Sequence, residues 1–133
     1  MTVFQKIITG ELPAYKVFED ANTMAILDRF PQVPGQVVMF SKALHDSQFS
    51  KVAPEVISQL IVAAQQVALL METRLADVKR VIVVIEGMEV PHLHIKLIPV
   101  YSTAPYNHGV TGGQNDYKVQ ETDLAELYRQ LVD

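Results

Sequence analysis

His92, His94 and Lys96 occupy every second position of the run Val90-Pro91-His92-Leu93-His94-Ile95-Lys96-Leu97-Ile98-Pro99. In an extended chain the side chains alternate between faces, so the two imidazoles, the ammonium and Ile98 share one face while Leu93, Ile95 and Leu97 take the other. Neighbours along the polar row stand about 6–7 Å apart, twice the rise per residue. A phosphate group is small enough to touch two or three members of such a row, and a neutral imidazole is both a nucleophile and, once protonated, a hydrogen-bond donor. Two other uses compete with phosphate chemistry. A half-exposed strand turns polar residues to water by the same alternation. Two histidines at this spacing also ligate a metal ion, but a site needs further ligands. Only His45 and His108 remain as histidines, and no acidic residue follows the pair within the next few positions.

The elements that must position this row can be read around it. Phe4, Ile7 and Ile8 recur at helical spacing and predict a short N-terminal helix that stops at Gly10. Tyr15 to Phe18 and Thr23 to Leu27 read as two strands that pair across the turn residues 19–22. Pro31, Pro34 and Gly35 force a loop before a third strand, Gln36 to Phe40. Pro54 fits the first turn of the main helix, whose face is predicted from Ile57, Leu60, Ile61, Ala64, Val67, Ala68, Met71 and Leu75. Val81 to Ile85 is a continuous apolar run, expected to be a strand buried on both faces. The histidine-bearing run supplies the last strand. Between Tyr101 and Tyr117, a stretch that includes His108, the glycines, Pro105, Asn107, Asn115 and Asp116 leave no periodic face and predict a loop. Thr122 or Asp123 is the expected cap of a closing helix that carries Leu124, Leu127, Tyr128 and Leu131. Strands, a long helix, then strands without regular alternation predict an α+β fold: an antiparallel sheet of about five strands with one long helix and shorter terminal helices.

Composition narrows the function. At 133 residues and 49% hydrophobic side chains, the chain is expected to form one domain, residues 1–133, around one core. A net charge of −4, from 15 acidic and 11 basic residues without a long basic run, argues against nucleic acid as a partner. No cysteine is present, which removes disulfides and thiolate metal sites and suits a reducing cytosol. The first fifteen residues lack the pattern of a signal peptide, and the apolar tract from Val56 to Leu75 is broken by polar residues, so a cytoplasmic protein without a membrane span is expected.

The histidine-bearing run resembles the motif of the histidine-triad nucleotide-binding family, in which three histidines alternate with apolar residues ahead of a proline. The resemblance extends to Phe4-Gln5-Lys6-Ile7-Ile8-Thr9-Gly10-Glu11-Leu12-Pro13-Ala14-Tyr15-Lys16-Val17-Phe18-Glu19-Asp20 and to Ala25-Ile26-Leu27-Asp28-Arg29-Phe30-Pro31-Gln32-Val33-Pro34-Gly35, and so covers roughly the first hundred residues in order. It implies a homodimer that binds a purine nucleotide and acts as a nucleotidyl hydrolase or transferase on a nucleoside phosphoramidate or dinucleoside polyphosphate. His94 would attack the α-phosphorus, and the backbone carbonyl of His92 would fix the tautomer of that ring. Asp28 would bind the ribose hydroxyls, and Phe4, Ile7, Leu12 and Ile26 would wall the base. The same resemblance leaves open a weakened member that binds nucleotide as a sensor or adaptor, and a protein-interaction domain that keeps only the fold.

Three departures stand out. Lys96 takes the third triad position; an ammonium attracts a phosphate oxygen but does not exchange a proton near pH 7 as an imidazole does. Met88 replaces a glutamine ahead of the triad and cannot donate its amide hydrogen bond, and Glu89 sets a carboxylate beside the leaving-group side of a phosphate. Thr2 and Gln5 occupy the positions where many bacterial members carry zinc-binding cysteines, so with His45 and His92 alone no zinc or other cofactor is expected.

Overall fold

The structure is a computed structural model that describes residues 1–102 and 121–132. Its elements, in chain order, are α1 (Val3–Ile8), β1 (Lys16–Glu19), β2 (Thr23–Leu27), β3 (Val37–Ser41), a single 3-10 turn (Phe49–Lys51), α2 (Pro54–Arg74), β4 (Val78–Glu86), β5 (His94–Tyr101) and α3 (Glu121–Val132). The five strands form one sheet in the order β1-β2-β3-β5-β4, antiparallel throughout, which is the α+β arrangement expected from the sequence. The predicted loop that includes His108 lies outside the described residues from position 103 onward.

The two faces of the sheet do different work. One face carries Ala25 and Leu27 of β2, Val37 and Met39 of β3, and Leu93, Ile95 and Leu97 at β5, all packed against Leu60, Ala63, Ala64, Val67 and Met71 of α2 and Leu124 and Leu131 of α3. Burying each large aliphatic side chain of this set contributes about 1.5–3 kcal/mol. The other face carries Met24, Ile26, Val38 and Phe40 under Phe4 of α1.

Several expectations need correction. The buried face of α2 is centred on Leu60, Ala63, Ala64, Val67 and Met71, and Ile61 is exposed, because the helix lies with its small residues toward the sheet. The apolar run Val81 to Ile85 is not buried on both faces: β4 is the edge strand beside β5, its residues are half-buried, and Val83 is 46% exposed. The strands buried on both faces are β2, β3 and most of β5, which have neighbours on both sides. Helix α3 starts at Glu121, which puts Thr122 and Asp123 inside its first turn and not at its cap.

Helix α1 has only six residues and needs its ends secured. Thr2 accepts a hydrogen bond from Gln5 N at 3.2 Å, and Gln5 Oε1 accepts one from Thr2 N at 2.7 Å, a reciprocal capping box that contributes about 1 kcal/mol. Thr2 and Gln5 thus cap the N-terminal end of α1. The helix stops at Thr9, and Gly10 turns the chain with φ +85°.

Candidate active site

Strand β5 and the segment just before it carry the polar row. Its alternation is the one the sequence predicts, but the row does not face water: His92, His94 and Lys96 are 1%, 2% and 4% exposed. His92 lies in a bend ahead of β5 and its ring is sandwiched by structure. Nε2 stands 2.8 Å from the carbonyl of Ser41, at the end of β3, and Nδ1 stands 3.4 Å from Thr2 Oγ1. A carbonyl only accepts, so Nε2 carries the proton. Burial pushes the His92 ring below the usual imidazole range; the Ser41 bond opposes that shift, and His94 and His45 add to it. His92 is a neutral, fixed ring.

His94 is oriented by its predecessor. Its Nδ1 donates to the backbone carbonyl of His92 at 2.8 Å, which leaves Nε2 as the nitrogen available for chemistry. Phe4 packs edge-on against both rings, with centroids 5.7 Å from His92 and 5.1 Å from His94, while stacking on Phe40 at 4.4 Å. The short N-terminal helix therefore helps hold both imidazoles.

A cleft of about 150 Å³ opens beside this row. Phe4, Ile7, Pro13, Ile26 and Val38 give it an apolar wall, and Asp28, Glu89 and Lys96 give it charged edges. Of the apolar residues predicted to line a base, Phe4, Ile7 and Ile26 are brought together; Leu12 is not, being 38% exposed and off the wall, where Pro13 and Ala14 take its place. Met88 is also away from the cleft, 84% exposed in the bend between β4 and β5. Glu89 does reach the cleft.

Asp28 sits at the far edge, held from two sides. Oδ1 accepts from Phe30 N at 2.8 Å and Oδ2 accepts from Gln36 Nε2 at 2.8 Å. Gln36 is buried and its own Oε1 accepts from Gln32 N at 3.1 Å, so the amide clamps the carboxylate to the start of β3. Each carboxylate oxygen keeps a further lone pair for a diol. Behind the same loop, Tyr101 donates from its hydroxyl to the carbonyl of Pro34 at 2.7 Å; burial raises this hydroxyl above the usual phenol range, so it stays a donor. Sequence reasoning missed Gln36.

It also missed Glu86. This last residue of β4 pairs in register with His94, so the two side chains stand opposite each other on one face of the sheet. Glu86 Oε1 lies 2.7 Å from His94 Nε2 and 4.0 Å from Lys96 Nζ. Oε1 makes no aligned hydrogen bond among the described residues, so the short contact to the ring is out of line. The available signal was that Glu86 ends the apolar run; its register against His94 could not be read, because it is set by how the connection 87–93 turns the chain from β4 into β5. Gly87, next along, lets the backbone carbonyl of Ser47 approach closely: a Cβ there would meet it at 2.2 Å.

Among the described residues, no group of three or more histidine or acidic side chains converges in a way that could hold a metal ion. The apolar cleft has Lys96, next along the row from the two buried histidines, at one edge and a clamped aspartate at another, an arrangement that can take a phosphate beside the lysine and an uncharged ring against the apolar wall.

Comparison with known proteins points the same way. The model of the HIT domain matches residues 9–103. An HIT-like protein of Chlamydia pneumoniae is 36% identical over 102 residues, which cover 74% of this chain and 92% of that protein. The adenosine 5'-monophosphoramidase of Saccharomyces cerevisiae is 28% identical over 133 residues, 98% of this chain and 80% of the yeast protein. The crystal structure of a Hit-like protein from Bartonella henselae superposes with a TM-score of 0.80 at 23% identity, over 98% of this chain and 92% of that one, and shares its fold.

Proposed function

The chain belongs to the HIT domain family, and on that premise we propose that it binds a purine nucleotide in the α1–β2 cleft and cleaves it at the α-phosphate through a nucleotidyl-His94 intermediate. The observation that carries this reading is the 2.8 Å bond from His94 Nδ1 to the His92 carbonyl, which leaves Nε2 as the reactive nitrogen beside Lys96 at the cleft. In the proposed reaction Nε2 forms a bond to the α-phosphorus as the bond to the leaving group breaks, and water then replaces the imidazole. Lys96, at the third triad position, holds phosphate oxygens as a point charge. Phe4, Ile7 and Ile26 cover the base, and Asp28 accepts hydrogen bonds from the ribose hydroxyls. Phosphoramidates and dinucleoside polyphosphates are the substrate classes this assigns; the phosphoramidase activity named for the yeast relative supports the first.

A homodimer is part of the same proposal. Val83 on the edge strand β4, and Val62 and Leu69 on α2, are exposed apolar residues of the kind a second copy would cover.

A second reading, a nucleotide binder without turnover, is favoured by one observation: His94 is buried and its Nε2 is covered by Glu86. A single-turnover experiment separates the two, with adenosine or guanosine phosphoramidate, wild type and His94→Ala, and intact-mass analysis of the quenched protein. A transient nucleotidyl adduct in wild type and none in His94→Ala is the expected result. Binding by both proteins without adduct or product in either would establish the second reading instead.

A further inference from the structure

Glu86 stands beside the ring nitrogen that a reacting phosphorus would have to reach. His94 is buried and does not itself line the cleft, and the carboxylate of Glu86 covers the one ring nitrogen not used to hold the ring in place. At 2.7 Å, a carboxylate oxygen and a ring nitrogen are close enough to exchange a proton. For Nε2 to attack, it must be bare of both the carboxylate and a proton.

We propose that Glu86 is the proton-transfer residue of this site, taking the proton from His94 Nε2 as the substrate enters and delivering it to the leaving group, a task that the ammonium of Lys96 does not perform. The proposal rests on the nucleotidyl-histidine reading above. Its geometry has three parts. The Oε1 of the carboxylate is buried within hydrogen-bond distance of Nε2 yet out of line with it, while the Glu86 side chain as a whole is 20% exposed. Lys96 Nζ stands 4.0 Å from the same oxygen. An incoming phosphate takes Lys96 for itself and sets a negative charge beside Glu86, and both changes favour the carboxyl over the carboxylate.

The steps balance. The proton passes from Nε2 to Oε1, giving a neutral ring and a carboxylic acid. Nε2 then bonds to the α-phosphorus, the bond from phosphorus to the leaving nitrogen or oxygen breaks, and that atom takes the proton from Glu86. In the second half the carboxylate accepts a proton from water as the water oxygen bonds to phosphorus and the bond to Nε2 breaks; the proton then returns to the ring. No other reactant is needed.

The test compares two adenosine substrates, an alkylamine phosphoramidate, whose leaving group must be protonated, and the p-nitrophenyl ester, whose leaving group departs as a stable anion. Rates of nucleotidyl-adduct formation are measured by quenched intact mass in wild type, Glu86→Gln and Glu86→Asp. Glu86→Gln is close to isosteric and is expected to slow the alkylamine substrate by about 10²–10⁴-fold and the ester by a factor at least about tenfold smaller. Glu86→Asp, which keeps the acid, is expected to recover part of the alkylamine rate. Equal losses on both substrates, or no loss on either, would overturn the proposal while leaving the nucleotidyl-histidine reading intact. No adduct in wild type, even with the ester, would overturn both.

Discussion

Gly87→Ala adds one methyl group at the point where the end of β4 meets the chain at Ser47. The new Cβ would lie 2.2 Å from the Ser47 carbonyl oxygen and 3.0 Å from its carbonyl carbon. Reaching an ordinary contact of 3.4 Å requires one of the two backbones to move by about 1.2 Å, and neither obstacle is the end of a side chain that could rotate away. Overpacking of this kind costs about 1–3 kcal/mol, and a backbone-on-backbone clash belongs in the upper part of that range. For 133 residues, an unfolding entropy of about 0.28 kcal/mol/K converts about 2–3 kcal/mol into a loss of roughly 7–11 °C in Tm. Because Gly87 follows Glu86 directly, the same displacement should pull the carboxylate from the His94 ring. The assay pairs thermal and urea unfolding with the imidazole resonances of His94 by NMR. Gly10→Ala is the comparison: its φ of +85° costs about 1–2 kcal/mol, but nothing lies within 4 Å of the added Cβ and the His94 resonances should not move. A Gly87→Ala protein within about 0.5 kcal/mol of wild type, the range of an ordinary surface substitution, would refute the reasoning.

Gln36→Leu removes the amide that clamps Asp28 and leaves Gln32 N without its acceptor, so a loss of about 1–3 kcal/mol of stability is expected in urea unfolding. Calorimetry should also show a smaller preference for adenosine monophosphate over its 2',3'-dideoxy analogue; an unchanged preference would remove Asp28 from the ribose. The His92 ring makes stability depend on pH. Its folded pKa is depressed, so its contribution is complete above the unfolded value of about 6.5 and is lost as pH falls through the folded value, at no more than about 1.4 kcal/mol per pH unit. Urea midpoints from pH 7.5 to 5 should therefore fall less steeply in His92→Gln than in wild type, and parallel curves would show that the ring does not stay neutral on folding.

The local elements were legible because each rests on short-range rules. Proline at the start of α2, glycine after α1 and the alternation along β5 are read from neighbours in the chain. What the residues could not disclose was which strand lies at the edge. An unbroken apolar run fits a central strand or an edge strand equally, and only the order β1-β2-β3-β5-β4 places Val81 to Ile85 at the margin. The site divided along the same line. The orienting contact between His92 and His94 spans two residues, whereas the Glu86 contact depends on cross-strand register, and the Gln36 clamp on how the loop after Asp28 folds back. Leu12 and Pro13 are adjacent in sequence, yet only Pro13 reaches the cleft, a distinction set by the turn at Gly10.

The two-sided character of β5 has a consequence for how such a chain can vary. Leu93, Ile95 and Leu97 face the helices, and His92, His94 and Lys96 take no part in that packing, so fold and chemistry are written in separate letters of one segment. Exchanges at the even positions can retune reactivity without unmaking the core, provided that charge is matched across the strand. An inserted or deleted residue would swap the two sets and lose both at once. Lys96 and Glu86 stand 4.0 Å apart across this strand pair, so an exchange at either one changes the charge that faces the other.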